Sequence, residues 1–314
     1  MKKVTVFAPA TVANVAVGFD LLGFPLDCVG DTVTVEVTKK ARVVEILKID
    51  YDLDGGVELP LDPANNTATV GMMALVKDLA LVHGFRVSIK KGIPIGSGMG
   101  GSAASSVAAL VAANALLERP LTKNELFPYA LMGEKLATGS AHPDNVSPCL
   151  FGGLTLTRSA APVETVSIPV PSFIYCVLVH PHLRLDTRES RGVLAPQIDL
   201  KAHVRQSANL AGFIAGCYRE DPKLIASSLK DVLIEPQRER LIPGFARAQD
   251  TALGHGALGC SISGSGPSVF AWTDARATAE SVALAMVSAF AGAGVKADSW
   301  VSKISAQGAR IVPP

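Results

Sequence analysis

Neither positive nor negative charge is in excess in this sequence. Lys and Arg number 29 against 28 Asp and Glu, which gives a formal net charge of +1 at pH 7. A protein that binds nucleic acid or an anionic membrane through its overall field carries a marked basic excess. The balance therefore predicts no nucleic-acid partner and no membrane-surface partner, and any anion must be held by a local site.

Cysteine is scarce, and the few cysteines show no metal-binding or disulfide pattern. The five cysteines are odd in number and widely separated, and no two of them form a CxxC pair. Scattered thiols of this kind are typical of reduced cytosolic proteins. His180 and His182 flank Pro181, a pattern that indicates the end of a strand rather than a zinc site.

Long uninterrupted hydrophobic runs are also missing. The strongest candidate, residues 103–117, is shorter than the roughly 20 residues that a bilayer span needs. The apolar stretch that follows Lys2 and Lys3 is broken by Pro9 and Asn14 before it forms a signal-peptide core. We therefore expect a cytoplasmic protein without a membrane partner.

The length and composition predict a folded chain of two domains. The sequence has 314 residues, of which 48% are hydrophobic and 18% charged, and a domain typically has about 150 residues. This composition supports a sizeable packed core. The proline-marked stretch Ala161–Pro171 suggests a boundary near residue 160, which divides the chain into domains 1–160 and 161–314.

Hydrophobic periodicity predicts a mixture of strands and helices. Residues 31–38 alternate polar and apolar side chains, as a half-buried strand does, and residues 67–82 show helical spacing. Further strands are predicted near 85–90, 154–157, 173–179 and 299–305. Further helices are predicted near 103–117, 123–137, 203–219, 222–230, 244–254 and 276–291. The mixture in both halves indicates the α+β class.

The most informative segment is PIGSGMGGSAAS, residues 94–105, which we call the phosphate loop. Its glycines precede Ser102 and a helix of small residues. Glycine permits a positive φ and removes the β-carbon, so successive N–H groups can point at one anion. The helix that follows adds its positive N-terminal end. The segment therefore predicts a polyphosphate site.

Three other interpretations of the phosphate loop remain open from the residues alone. Gly96, Gly98 and Gly101 satisfy the GxGxxG pattern of a dinucleotide fold, but the acidic residue expected at the end of a following strand is missing. A P-loop needs a lysine immediately before Ser102, where Gly101 stands. The third interpretation is a loop rich in glycine only for tight packing.

Two further segments suit either structure or chemistry. Glu134 in a predicted helix belongs either to a solvated face or, with Ser102, to a magnesium site, because nucleotide-bound Mg²⁺ needs only one or two protein oxygens. His142, Asp144 and Asn145 lie on either side of Pro143, and Pro148 follows them. Asp and Asn favour turns, but three hydrogen-bonding side chains ahead of an apolar strand also suit a substrate wall.

Three segments in a fixed order carry a resemblance to known proteins. Residues 9–26 (PATVANVAVGFDLLGFPL) follow the pattern P-A-[ST]-x-A-N-x-x-x-G-F-D, the phosphate loop comes second, and residues 259–271 (GCSISGSGPSVFA) form a glycine turn. They are similar to the three motifs of the GHMP kinase superfamily, in the form found in the homoserine kinase family. HPDNVSPCLFGG (142–153) and EPQRERLIPGF (235–245) resemble further segments of that family.

The resemblance implies a fold and an activity as expectations. The fold is an N-terminal β-α-β domain with a left-handed crossover and a ferredoxin-like C-terminal domain. The activity is transfer of the γ-phosphate of ATP to the side-chain hydroxyl of L-homoserine, with Mg²⁺, as a step of threonine biosynthesis. ATP is expected at the phosphate loop, the acceptor in a cleft between the domains, and a homodimer is possible.

The resemblance also implies roles for individual residues. Catalytic roles are expected for Asn14, which orients the hydroxyl, for Glu134, and for Arg191, which steadies the transferred group. The acceptor site is expected to contain Asn14, Asp20, His142, Asp144, Asn145, Thr187, Arg191 and Arg238. The ATP site is expected to contain Asn66, Thr67, Lys91, Pro94, Ile95, Gly96, Ser97, Gly98, Met99, Gly100, Gly101, Ser102, Ala103 and Ala104. Ser102 and Glu134 are the expected Mg²⁺ ligands.

One departure from the family pattern and three rival functions stay open. The second motif of the family usually reads G-[LM]-G-S-S, and Gly101 stands where its first serine would be. We expect this change to loosen the loop and weaken ATP binding while the metal site survives. The rivals are a GHMP kinase for an isoprenoid, sugar or shikimate acceptor, a non-catalytic nucleotide-binding regulator, and a dinucleotide-dependent dehydrogenase.

Overall fold

The computed structural model describes residues 2–52 and 58–313, which form two sheets covered by helices. The strands are β1 (Lys3–Ala13), β2 (Leu22–Thr38), β3 (Val44–Tyr51), β4 (Gly84–Lys91), β5 (Leu154–Ala160), β6 (Val163–Ile168), β7 (Tyr175–Pro181), β8 (Gly259–Ile262), β9 (Val269–Thr273), β10 (Ala297–Ser302) and β11 (Arg310–Val312). The α-helices are α1 (Thr67–Asp78), α2 (Gly101–Asn114), α3 (Lys123–Thr138), α4 (Pro143–Phe151), α5 (Thr187–Gly192), α6 (Leu200–Arg219), α7 (Pro222–Ser228), α8 (Glu235–Arg238), α9 (Phe245–Gly254) and α10 (Arg276–Ala291). Two short 3₁₀ turns cover Pro63–Asn65 and Glu239–Leu241.

The alternation in residues 31–38 does belong to a strand. Val33 and Val35 on one side of β2 are fully buried, whereas the residues between them are partly exposed. The strand begins earlier than predicted, at Leu22, because it also pairs with β1 and β5 there. The predicted helix over 67–82 is α1, which ends at Asp78.

The first sheet contains the crossover that the resemblance predicts. Its strands follow the order β11-β1-β2-β4-β3, and β5 and β6 extend it beside β2. β3 and β4 pair in parallel, with α1 in the connection between them. A parallel pair needs a connection of this kind. The β-α-β unit of the N-terminal domain is therefore confirmed, and the handedness of its crossover stays a prediction.

The second sheet has ferredoxin-like topology. Its order is β10-β7-β9-β8, with antiparallel neighbours throughout. Helices connect β7 to β8 and β9 to β10, whereas β8 and β9 form a hairpin. This is the β-α-β-β-α-β arrangement. The predicted ferredoxin-like fold of the C-terminal half is confirmed.

The chain passes from the first sheet to the second after residue 160, between β6 and β7. β5 and β6 pair with each other within the first sheet, so the predicted boundary falls between two paired strands. The prolines around 161–171 mark the two ends of β6, positions where proline removes no ladder hydrogen bond. β11 also returns to pair with β1. Each half of the sequence therefore contributes to the first sheet.

Helix α2 lies close against the first sheet because its side chains are small. Ala103, Ala104, Ala108 and Ala112 are fully buried, and the helix contacts β1, β2 and β4. A helix that is apolar all round is suited to the interior of a domain.

Within the described residues, no helix has the length and apolar character that a bilayer crossing requires.

Candidate functional site

A cavity opens where the two sheets meet. It is lined by five segments: the turn of the first motif that begins at Asn14 (the first-motif turn), the phosphate loop, the start of α4, the segment around α5 and the turn after β8. These elements come from both halves of the chain, so the cleft between domains that the resemblance implies is present. It contains the expected acceptor residues Asn14, Asp20, His142, Asp144, Asn145, Thr187, Arg191 and Arg238.

Four consecutive carbonyl groups of the phosphate loop are turned away from the cavity by hydrogen bonds. Leu185 N–H donates to the Gly96 carbonyl (3.1 Å) and Ser268 N–H to that of Ser97 (3.1 Å). Ser263 Oγ donates to the Gly98 carbonyl (2.8 Å) and Thr11 N–H to that of Met99 (3.0 Å). With its carbonyls engaged by other segments, the loop presents N–H groups, which bind anions.

Two glycines of the loop fit only without a side chain. Gly98 has φ +74°, and a β-carbon there would lie 2.6 Å from the carbonyl oxygens of Ser263 and Gly266. Gly100 has φ +69° and precedes α2, and a β-carbon on it would lie 2.0 Å from Thr11 Oγ1. No side chain caps α2, so its first N–H groups are available to a ligand. A phosphate suits that helix end.

Gly101, the departure from the family pattern, is less constrained. Its φ is not positive, and a β-carbon there would first meet Ile93 Cγ2 at 3.2 Å. A serine at this position would require only a small adjustment of a methyl group. The predicted weakening of ATP binding by this glycine stays a prediction.

A buried network lies beneath the phosphate loop. Lys91 and Asp31 form an ion pair, and Lys91 Nζ also donates to the Gly101 carbonyl (3.0 Å) and to Ser105 Oγ (2.9 Å). Asp31 Oδ1 accepts from the N–H of Gly92 at 3.1 Å. Both charges are almost completely buried, and a buried charge is tolerated when it is paired in this way. Lys91 therefore braces the loop, and its expected contact with adenine stays a prediction.

The two expected metal ligands lie side by side. Ser102 Oγ donates to Glu134 Oε2 at 2.7 Å, so Glu134 on α3 faces the start of α2 rather than solvent. Burial raises the pKa of Glu134 to about 7, against the lowering effects of Ser102 and Arg191. The burial of this carboxyl therefore outweighs the nearby Arg191 and favours the neutral form. A bound divalent cation would reverse that preference.

The first-motif turn holds an unusual backbone conformation. Asn14, Val15 and Ala16 have φ of 68°, 46° and 57°, a left-handed run that costs about 1–2 kcal/mol per non-glycine residue. The Asn14 side chain holds it, since Nδ2 donates to the Gly264 carbonyl (2.8 Å) and Oδ1 accepts from Asp20 N–H (3.0 Å). Asn14 thus joins the first and third motifs at the cavity.

Five ionisable side chains form what we call the charged cluster: Asp20, His142, Asp144, Arg191 and Arg238. Asp20 and Arg191 form a bidentate pair, with 3.1 Å from Nη1 to Oδ2 and 2.5 Å from Nη2 to Oδ1. The buried Arg238 instead donates to the carbonyls of Ser190 and Gly264, each at 3.1 Å. Burial and the neighbouring Arg191 lower the pKa of Arg238 to about 10, so it remains charged.

Phe19 contacts both arginines of the charged cluster. The guanidinium carbons of Arg191 and Arg238 lie 5.2 Å and 5.4 Å from the centre of the Phe19 ring. Cation–π attraction of this kind is worth about 0.5–2 kcal/mol. The ring therefore offsets part of the repulsion between two cations that face the same cavity.

The remaining members of the charged cluster are close to neutral. His142 Nδ1 lies 3.6 Å from Asp20 Oδ2, but burial outweighs Asp20 and lowers the pKa of His142, so the contact is not an ion pair at neutral pH. Burial, Asp20 and Glu134 together raise the pKa of Asp144 to about 8. Within the part of the chain that the structure describes, His142 Nε2 and Arg191 Nε are buried without a hydrogen-bond partner. Such atoms favour a polar ligand.

Not every predicted ATP-site residue reaches the cavity. Thr67, Lys91, Pro94, Ile95, Gly96, Ser97, Gly98, Gly100, Gly101 and Ser102 line it. Met99, Ala103 and Ala104 are fully buried and support the loop from behind. Asn66 caps α1 by accepting from Ala68 N–H at 3.0 Å. A nucleotide contact of any residue in the two groups stays a prediction.

Sequence reasoning missed three residues that shape the site. Thr11 donates to Asn145 Oδ1 at 2.6 Å and fixes one end of the substrate wall. Phe19 contacts both arginines, and Asp31 pairs with Lys91. Thr11 and Phe19 belong to the first motif, so the motif itself was a signal for them. Asp31 begins an alternating strand and gives no sign in the sequence that it is fully buried.

Comparison with known families identifies both halves of the chain. The model of the GHMP kinases N terminal domain matches residues 66–153, and that of the GHMP kinases C terminal domain matches residues 213–292. Curated relatives named homoserine kinase are similar over nearly the full length. That of Xanthomonas campestris is 50% identical over 99% of this chain and 95% of the relative, and that of Chlorobaculum tepidum is 45% identical over 99% of both.

Solved structures agree with this relationship. The crystal structure of homoserine kinase from Cytophaga hutchinsonii has a TM-score of 0.95 and 41% identity, and covers 99% of this chain and 98% of its own. A mevalonate kinase from L. major shares the fold with a TM-score of 0.69 at 14% identity, over 98% and 97% of the two chains. The chain belongs to the homoserine kinase family of the GHMP kinases.

Proposed function

We propose that this kinase transfers the γ-phosphate of ATP to the side-chain hydroxyl of L-homoserine, as a step toward threonine. One observation carries the proposal. The phosphate loop, whose carbonyl groups are engaged by other segments, lines the same cavity as the charged cluster, which offers both carboxyl groups and guanidinium groups. An anion site beside a site for a zwitterion is what a kinase for an amino acid needs.

The nucleotide side of the cavity fits Mg²⁺ together with ATP. Ser102 and Glu134 offer two hard oxygens at one place, next to the start of α2. Mg²⁺ keeps most of its ligands as water and phosphate oxygen, so these two would hold it. When bound, the cation would neutralise charge on the phosphate chain. The resident carboxyl must then lose its proton, which the pKa of about 7 at Glu134 allows near neutral pH.

The acceptor side fits a zwitterion. Asp20 offers negative charge for an ammonium group, and Arg191 and Arg238 offer forked donors for a carboxylate. The ammonium and carboxylate groups of the acceptor would each take one partner of the Asp20–Arg191 pair, so neither residue would be left with an unpaired charge. Sugar and isoprenoid acceptors lack the ammonium group and would offer Asp20 no cation in exchange for Arg191.

The residues supply position and electrostatics more than proton transfer. Phosphoryl transfer passes through a loose transition state, so alignment of the hydroxyl with the γ-phosphate contributes most of the rate. Asn14 lies where the first and third motifs meet and would orient the hydroxyl. The N–H groups at the start of α2 and the Arg191 guanidinium would stabilise charge on the transferred group.

The test is an acceptor panel with ATP and Mg²⁺, in which ADP release and the phosphorylated product are both measured. We expect L-homoserine to be phosphorylated, and shikimate, galactose and mevalonate to be poor acceptors by several orders of magnitude in kcat/KM. Replacing Mg²⁺ with Ca²⁺ should depress turnover. ADP release with mevalonate or a sugar but not with homoserine would contradict the assignment. If no acceptor is phosphorylated even in a single-turnover experiment, the result would favour a non-catalytic regulator.

Homodimer formation and a cytoplasmic location complete the proposal. All five cysteines are free thiols and four of them are buried, which suits a reducing compartment. Size-exclusion chromatography with light scattering tests the dimer, and fractionation of cells tests the location.

A further inference from the structure

Arg184 is an exposed arginine at the edge of the phosphate loop that the assigned site does not use. It follows β7 and lines the mouth of the cavity. A β-carbon built on Gly96 would lie 2.6 Å from Arg184 Cγ and 3.4 Å from its Nε, so the stem of Arg184 occupies the space above this glycine. Leu185 N–H, one residue on, donates to the Gly96 carbonyl at 3.1 Å. The segment is thereby fixed against the loop.

The other cations that line the cavity already have partners. Lys91 pairs with Asp31, Arg191 pairs with Asp20, and Arg238 donates to the carbonyls of Ser190 and Gly264. Arg184, by contrast, has neither an ion pair nor a side-chain hydrogen bond to any residue in the described ranges 2–52 and 58–313. Its stem packs over Gly96, and the side chain is exposed at the cavity.

We propose that Arg184 is a nucleotide-binding residue whose guanidinium group contacts the phosphate chain of ATP at the Gly96 end of the loop. The loop itself offers neutral N–H groups, and the metal ligands contribute a negative charge. A multiply charged polyphosphate therefore needs a mobile cation, and an arginine provides a forked, charge-assisted contact to phosphate oxygens. Gly96 has φ +68°, and the space above it is filled by the Arg184 stem, so a side chain at this position would meet both restrictions.

This inference rests on the proposed function, since it requires a nucleotide on the phosphate loop. Its test uses the full chain and three variants: Arg184→Gln, which removes the charge, Arg184→Lys, which retains it, and Arg188→Gln. Arg188 is the matched control, an exposed arginine four residues further on that does not line the cavity. Calorimetric titration with ATP and Mg²⁺ gives affinity, and steady-state assays give the KM values for ATP and homoserine.

Arg184→Gln should weaken ATP binding about 10- to 100-fold, the range expected for one hydrogen bond to a charged group. Arg184→Lys should recover part of the loss, and Arg188→Gln should stay within about twofold of the wild type. The dependence of the ATP KM on salt concentration should become shallower only in Arg184→Gln, because screening acts on the lost ionic contact. The KM for homoserine should not change.

Three results would overturn the inference. They are ATP affinity in Arg184→Gln within twofold of the wild type, an equal loss in Arg188→Gln, which would indicate a general field effect, and a rise confined to the homoserine KM, which would move the contact to the acceptor carboxylate. If the wild type phosphorylates homoserine in the same assay, any of these results rejects the role of Arg184 alone. If the wild type is inactive, the proposed function fails first.

Discussion

The phosphate loop and the charged cluster line one cavity but are built by opposite means. The phosphate loop has no charged side chain, and its shape depends on glycines and on carbonyl groups held by other segments. The charged cluster depends on side chains whose charges balance one another, as Asp20 and Arg191 do. The loop will therefore be damaged by adding an atom, whereas the cluster will be damaged by removing a charge at constant shape.

The largest effect should come from adding one carbon to the loop. In Gly98→Ala the new β-carbon would lie 2.6 Å from two carbonyl oxygens at a backbone φ of +74°, and the loop must move to relieve the overlap. We expect no measurable ATP binding by calorimetry. The clash is with the turn after β8 rather than with phosphate, so thermal stability should fall as well.

Gly101→Ala is the matched control for that variant. A β-carbon there meets Ile93 Cγ2 at 3.2 Å at an ordinary φ, so ATP affinity should stay within about tenfold of the wild type. Similar losses in the two variants would mean that the loop responds to bulk anywhere along it, and the contrast with the charged cluster would fail.

The next effect concerns Glu134, which belongs to neither region and faces both. Glu134→Gln keeps the shape and the contact with Ser102 but removes the charge, and one lost electrostatic contact of this kind typically costs about 10²–10³ in rate. We expect kcat to fall by that amount and the Mg²⁺ concentration for half-maximal activity to rise. Turnover within a factor of two of the wild type would reject Glu134 as a metal ligand.

Removal of a charge from the charged cluster should weaken binding of the acceptor but not binding of ATP. Asp20→Asn should raise the KM for homoserine by well over tenfold, since loss of one partner of a desolvated charge pair costs about 2–5 kcal/mol. ATP affinity and thermal stability should be nearly unchanged, because the Asp20–Arg191 pair is partly exposed in the free protein. An acceptor without an amino group should be poor with the wild type and lose little more. Equal losses for both acceptors would mean that Asp20 supports its turn rather than binding the ammonium.

The smallest effect is on stability and depends on pH. The pKa of Glu134 is raised from 4.5 to about 7 in the folded protein, so the folded state holds a proton that the unfolded state releases, and this carboxyl lowers stability as pH rises from about 4.5 to 7. Glu134→Gln has no such proton. Without metal, the variant should therefore gain about 1–3 kcal/mol of unfolding free energy relative to the wild type between pH 4.5 and 8, because one pKa unit corresponds to about 1.4 kcal/mol.

Urea unfolding at several pH values measures that gain. A constant difference between the two proteins across the range would mean that Glu134 stays ionised in the folded state. Addition of Mg²⁺ and nucleotide should stabilise the wild type only, so that the sign of the difference in unfolding free energy between the two proteins reverses.

Local patterns in the sequence predicted most of the helices and strands of the fold. The alternation in 31–38, the helical spacing after Thr67 and the glycines before Ser102 each predicted an element that the structure contains. Such patterns report burial on one face, which is a local property. The domain boundary was harder to predict from the sequence. The segment that forms β6 looks like a linker bounded by prolines, and it joins the first sheet through its partner β5.

The residues of the site were predicted by resemblance, but their contacts were not. No spacing in the sequence shows that Asp20 lies against Arg191, which is 171 positions away, or that Lys91 is engaged by Asp31. These contacts depend on how the two sheets are placed. The first motif singled out Asn14, and only the fold shows that its amide group contacts the third motif.

The pairing of β11 with β1 has a consequence for synthesis. Thr5 faces Val312 in this pair, so the outer edge of β1 has no partner until residues 310–312 have left the ribosome. An unpaired strand edge is a template for association with other chains. The nascent protein therefore has one open edge until then, and a chain truncated before Arg310 should keep it open. Aggregation during expression, rather than lost activity, should be the first defect of such a truncation.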